Sequence, residues 1–175
     1  TSGTTNSGFG STIGFSATSS NQTALGYAAV TDTHNKVKIG NGSVTAAHIQ
    51  VDWTIDSDRR IKKDIVDNDI GLSFINKLKT RKFKKKHPSE WDAEILEKRY
   101  KSGGHEYDDE KDEVIKDEFD DETVLNGLIA QEVKESMDEL GVGFSGWDED
   151  TQGKQGIQYS AMVIPLIKAV QELTA

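Results

Sequence analysis

The 175-residue chain has no cysteine, which excludes a disulfide framework, a thiolate nucleophile and any zinc site built on sulfur. Apolar residues make up only 34% and aromatics 7%, while 29% are charged. A compact monomer of this length carries more apolar residues than this. Either part of the chain is extended, or its core is completed against other subunits. Positive charge is also short: 21 Lys and Arg stand against 30 Asp and Glu, a net charge of −9. That balance argues against general nucleic-acid binding, which needs a basic face to neutralise phosphates. No apolar run is long enough to cross a bilayer, and the N-terminus shows no signal-peptide pattern, so no membrane insertion is expected. Histidines 34, 48, 87 and 105 are scattered without metal-ligand spacing, and no Gly-rich phosphate loop is present. No metal and no cofactor are expected. The opening Thr1-Ser2-Gly3-Thr4-Thr5 reads as a piece of a longer protein.

Residues 1–50 are rich in Gly, Ser, Thr, Ala and Asn, sparse in charge, and without helical periodicity. Three dipeptides, Ile13-Gly14, Leu25-Gly26 and Ile39-Gly40, punctuate them. A β-solenoid coil has this form: a short strand, then a Gly where the backbone turns or approaches closely, then the next layer. Such coils are too poor in large apolar residues to stand alone, and stacking or three chains wound together would supply the missing burial. A Gly/Ser-rich linker or a β-meander is the competing reading. The first fifty residues are therefore expected to be the end of a fibrous β-shaft or head, and residues 51–175 a second domain.

From residue 51 the side chains become larger and more charged. Val51-Asp52-Trp53-Thr54-Ile55 alternates as a half-buried strand does. Apolar residues at 70, 74, 75 and 78 predict a helix capped by Asp67, Asn68 or Asp69. Lys79, Arg81, Phe83 and Lys85 alternate as along a strand, and Glu90 to Lys98 reads as a short helix. Ile129, Val133, Met137 and Leu140 share one face of another helix, stopped by Gly141 and Gly143. The last helix runs from about Tyr159 to Leu173. Its Tyr159, Val163, Leu166, Val170 and Leu173 step by 4, 3, 4 and 3, a coiled-coil seam, although ordinary core packing would produce the same spacing. Pro165 should kink this helix or mark its true start. Trp53, Trp91 and Trp147 read as core or interface anchors.

Two charge runs stand out. Residues 77–86 hold seven Lys or Arg, and residues 104–122 eleven Asp or Glu. The acidic run lacks the ligand spacing and Gly of a calcium loop, so it reads as a solvated hairpin or arm. Pairing between the two runs, within a chain or across chains, is the plain account of the basic one.

The sharpest chemical hypothesis lies in Ser57-Asp58-Arg59-Arg60-Ile61-Lys62. A serine hydroxyl becomes a nucleophile when a base takes its proton, and a lysine serves if burial or neighbouring cations lower its pKa. A turn between Ser57 and Lys62 would bring amine to hydroxyl. Arg59, Arg60 and Lys63 add positive charge that favours a neutral lysine and suits a developing oxyanion, for which backbone N–H groups are equally good candidates. The bare pattern fits an N-cap followed by a solvated basic face equally well.

Ser57-Asp58-Arg59-Arg60-Ile61-Lys62-Lys63-Asp64-Ile65 resembles the opening signature of the intramolecular chaperone auto-processing domain, peptidase family S74. Three further segments resemble that family in order: Leu72 to Leu78, then Gly127-Leu128-Ile129-Ala130-Gln131-Glu132-Val133, then the closing helix from Tyr159. The resemblance implies an α+β fold in which trimeric repetitive β-structure precedes a mixed domain ending in a three-helix contact. It implies a homotrimer that registers an upstream fibre segment of the same chain and then cuts itself free. Ser57 would be the nucleophile, Lys62 the general base and Ser57–Asp58 the cleavage site, with Arg60, Gln131 and Trp53 as supporting residues. The setting implied is a phage tail fibre or tailspike, or a bacterial surface fibre. Many relatives carry a histidine just before the second hallmark, where this chain has Val124-Leu125-Asn126. A non-cleaving structural or adhesive fibre tip of the same fold is the alternative, and an unrelated monomeric α+β enzyme a third.

Overall fold

Small side chains decide how the first segment folds. In the computed structural model, which describes residues 3–96 and 121–175, β1 (Ser7–Phe9), β3 (Thr23–Leu25) and β5 (Val37–Ile39) lie parallel in one sheet. A second parallel pair is formed by β2 (Gly14–Phe15) and β4 (Val30–Thr31). Ser7 stands against Thr23 and Thr23 against Val37, so the chain returns to the same line after 16 and then 14 residues. Layers this close admit only small groups between them. Ala24 and Ala29 are fully buried, and a Cβ on Gly8 would lie 2.0 Å from the Ile13 side chain. The buried Gln22 carboxamide donates to the Ser19 carbonyl at 2.8 Å and accepts from the Thr31 hydroxyl at 2.7 Å. This pairing removes the penalty of an unsatisfied amide. The large apolar residues Phe9, Leu25 and Ile39 stack in register on the outside, exposed.

The glycine signal falls differently from the sequence expectation in the first layer. Phe9-Gly10, Leu25-Gly26 and Ile39-Gly40 are the equivalent positions, whereas Gly14 pairs with Val30 in the second sheet. The stacked glycines have φ of 141°, 105° and 73°, and a Cβ on Gly10 would sit 2.3 Å from the Gly26 carbonyl oxygen. What repeats is the positive φ, which only glycine meets without strain, and at Gly10 a close approach is added to it. The dipeptide Ile13-Gly14 merely looks alike.

The chain divides into two compact units. One comprises Thr1–Ala46, Phe83–Leu125 and Glu149–Lys154, the other Ala47–Lys82, Asn126–Asp148 and Gln155–Ala175. The second is built on α1 (Leu72–Lys77), α2 (Ala130–Leu140) and α3 (Val163–Leu173). Two-stranded sheets pair β6 (Arg81–Phe83) with β7 (Leu125–Gly127), and β8 (Trp147–Glu149) with β9 (Gln155–Ile157). Helices and strands together make the fold α+β. Its core is Phe74, Val133, Met137, Phe144 and Met162, with the Phe74 and Phe144 rings 5.4 Å apart. Ile70, Ile75 and Leu78 pack around Phe74, as the spacing predicted. Gly141 ends α2 in the left-handed conformation, and the Val142 N–H donates to the Met137 carbonyl at 3.0 Å.

The closing helix answers the question its seam posed. A 3₁₀ turn occupies Tyr159–Met162 and the α-helix proper begins at Val163, with Pro165 in its first turn, where proline is tolerated. Met162, Pro165 and Ala169 face the core. Tyr159, Val163, Leu166, Val170 and Leu173 lie on the adjoining face, between 47 and 68% exposed. Core packing therefore does not account for the seam.

Several local expectations are corrected. Residues 51–55 form no strand: they make no backbone pairing among the described residues, and Val51, Trp53 and Ile55 are 73, 70 and 72% exposed. An alternating pattern becomes a strand only beside a partner edge. None of Asp67, Asn68 and Asp69 caps α1. The N-cap is Gly71, and Glu172 of α3 accepts the Leu72 N–H at 2.7 Å. Pro88–Glu90 forms a 3₁₀ turn with turns beyond it in place of the helix expected from Glu90, and residues 97 and 98 lie outside the described residues. The basic run pairs chiefly with α2: Lys77 with Glu139 at 2.5 Å, Lys79 with Glu135 at 3.7 Å, Arg81 with Glu132 at 2.5 Å. These three glutamates project at helical spacing toward the end of α1 and the segment after it, which carry the cations at alternate positions. Among the described residues Lys84, paired with Glu122, reaches the acidic run, most of which lies outside the described residues, as does His105. Trp147 is half-buried beside Lys134, while Trp91 lies under the Lys154 ammonium at 3.9 Å.

Candidate functional site

The loop from Ser57 to Asp64 is shaped by one aspartate. Asp58 is the N-cap of a 3₁₀ turn over Arg59–Ile61, and its carboxylate accepts the Arg60 N–H at 2.8 Å. The same carboxylate accepts two guanidinium bonds from Arg60, at 3.0 Å from Nε and 2.7 Å from Nη2. The side-chain bonds, and then the backbone one, hold the Asp58 carboxyl below its ordinary value of 3.8, and the side-chain bonds to Asp58 raise the Arg60 guanidinium. The cap is thus Asp58, leaving the Ser57 hydroxyl unused by the helix end.

The turn closes with the Lys62 N–H donating to the Arg59 carbonyl. Lys62 itself is extended, and Asp64 then takes a φ of 52°, uncommon for a residue with a Cβ. This path brings the two ends of the turn together: Lys62 Nζ donates to Ser57 Oγ at 2.6 Å. A primary amine and a primary hydroxyl at hydrogen-bonding distance are the elements of a proton-transfer pair. Both side chains are exposed in the single chain. An ammonium becomes a base only after losing its proton, and exclusion of water from such a pair promotes that loss.

Of the other expected residues, Arg60 contributes by fixing Asp58 and the turn. Gln131 is exposed in the first turn of α2, and Trp53 is exposed four residues before Ser57. Among the described residues no hydrogen bond joins Gln131 or Trp53 to the Ser57–Lys62 pair. Val124, Leu125 and Asn126, which stand where a histidine was looked for, lie at β7. No cluster of His, Asp and Glu able to hold a metal occurs among the described residues. The role of Asp58 as cap and clamp was missed in the sequence, where Ser57 was the capping candidate. The signal was available: an aspartate two residues before an arginine offers both a backbone and a guanidinium partner.

A family model described as chaperone of endosialidase, a peptidase S74 domain, matches residues 57–142. The match opens on Ser57 itself and ends at the stop of α2, so it covers the paired serine and lysine, α1, β6, β7 and α2. No curated protein and no solved structure matches the chain.

Proposed function

Residues 57–142 belong to the chaperone-of-endosialidase family, and on that premise we propose that this chain is an intramolecular chaperone that assembles as a homotrimer, registers an upstream β-fibre, and then releases itself by cutting at Ser57. The observation that carries the cleavage is the 2.6 Å contact between Lys62 Nζ and Ser57 Oγ at the first residue of the family match. Lys62 acts as general base, Ser57 as nucleophile, and Asp58, held by Arg60, begins the released fragment. Net, one water is consumed and one peptide bond becomes a carboxylate and an amine. Attack of Ser57 Oγ on its own carbonyl would close a strained four-membered ring, whereas attack on the Asp56 carbonyl closes a five-membered one. The second route gives an ester that water hydrolyses, and its released fragment begins with Ser57. The N-terminal residue of that fragment therefore reports the route.

Two unburied apolar surfaces support the trimer. One is the α3 seam; the other is the outward stack of Phe9, Leu25 and Ile39 in the parallel layers. Contiguous exposed apolar surface of this kind marks an interaction site. With three copies about one axis, the seams form a helical contact and the layered strands form the end of a trimeric repetitive shaft, as in a tail fibre, a tailspike or a bacterial surface fibre. Gln131, exposed at the start of α2, is placed as a supporting residue for the assembled site.

The test is the mass of freshly expressed chain on a denaturing gel, beside Ser57→Ala and Lys62→Ala. Cleavage near residue 57 in the parent chain and intact mutants are expected. An intact parent chain that is trimeric in solution would make this a non-cleaving fibre cap, the reading favoured by the exposure of the pair and the missing histidine.

A further inference from the structure

The six residues before Ser57 form neither helix nor strand, and Val51, Trp53 and Ile55 present large apolar side chains to solvent at alternate positions. Alternate residues of an extended chain share one face. Within the same unit lies an apolar groove of about 560 Å³. Leu78, Leu128, Met162 and Leu166 line it, with Tyr159, whose hydroxyl accepts the Leu128 N–H at 2.8 Å. Arg81 and Lys82 of β6 lie on its rim, and among the described residues β6 has a single sheet neighbour, β7.

We propose that this groove receives the segment Val51–Ile55 of a second copy of the chain, with Trp53 seated between Leu128 and Leu166. Three observations select that occupant. The segment lies exposed on its own chain, outside its own groove. Tyr159 and Leu166 belong both to the groove and to the α3 seam, so the groove opens onto the face where a second copy packs. Charge is complementary at the rim, with Asp52 and Asp56 flanking the apolar side chains of the segment and Lys82 on the groove, Arg81 being already held by Glu132. An extended segment laid beside a sheet strand, with alternate side chains in an apolar pocket, is an established mode of recognition. The inference rests on the trimer reading above and adds to it a partner segment. Docking ends two residues before Ser57, so it immobilises the backbone about to be cut and screens the Ser57–Lys62 pair from water. Cutting then waits on assembly.

Since the chain has no cysteine of its own, the contact is testable by disulfide capture. The uncut Ser57→Ala chain is made with Trp53→Cys under one tag and Thr80→Cys under another, and the two are co-expressed and mildly oxidised. A disulfide joining the two tags is expected, its yield falling roughly tenfold or more when Val51 and Ile55 of the first chain are both replaced by Asp. A trimer that gives no mixed-tag disulfide overturns the docking and leaves the trimer standing, as does efficient capture only when both cysteines are placed in one chain. A chain that is monomeric by light scattering overturns both.

Discussion

Replacing Val170 by aspartate separates the two demands placed on α3. In the single chain Val170 is 59% exposed and lies on the face adjoining that of Met162, Pro165 and Ala169. The substitution therefore removes little burial there, and its carboxylate near a helix C-terminus costs under about 1 kcal/mol. In the proposed trimer the same position meets its two copies. The remaining burial of each valine is worth about 1 kcal/mol, and each desolvated carboxylate costs several more, with like charges facing one another. Summed over three chains this is roughly 10 kcal/mol, or about seven powers of ten in the association constant. Size-exclusion chromatography with light scattering reads the oligomer, and circular dichroism reads the fold. A folded monomer is expected. A Val170→Asp chain that stays trimeric would refute the seam as the trimer contact, and one that unfolds as a monomer would place Val170 in its own chain's core.

The tertiary cap predicts that Glu172→Ala lowers stability by about 1 kcal/mol, the usual worth of a lost N-cap bond, while Glu172→Gln, which keeps an accepting oxygen, loses less. Urea midpoints check this, and an Ala variant as stable as the parent would show that water satisfies the Leu72 N–H. Acid should weaken the α2 contact. The side-chain bonds from Arg81 and Lys77 hold Glu132 and Glu139 below their ordinary 4.5. Their contribution is therefore complete above that value and is lost as pH falls through the depressed folded values. Thermal melts between pH 7 and pH 3 should show a shallower fall for Lys77→Met than for the parent, and identical slopes would mean that water and salt already screen the pair.

The sequence by itself determined whatever depends on local spacing. Apolar residues at 70, 74, 75 and 78, and at 129, 133, 137 and 140, place α1 and α2, because helical periodicity and burial are one signal read twice. Gly141 announces the end of α2 for the same local reason. The Ser57-to-Lys62 spacing was legible as a turn, and the turn brings amine to hydroxyl. Only the tertiary structure decided which groups complete each other over distance. The cap of α1 comes from a glutamate 100 residues away, so no window around Gly71 contains it. The partners of Lys77, Lys79 and Arg81 are fixed by the packing of α1 against α2, not by the conspicuous acidic run. The first glycine layer is Phe9-Gly10 because parallel register, rather than dipeptide likeness, sets which residues stack. A heptad seam does not say which face of a helix meets its own core. At α3 that choice went to Pro165 and Ala169, with Met162 just before the helix, because α1 packs on that side, and it left the seam bare.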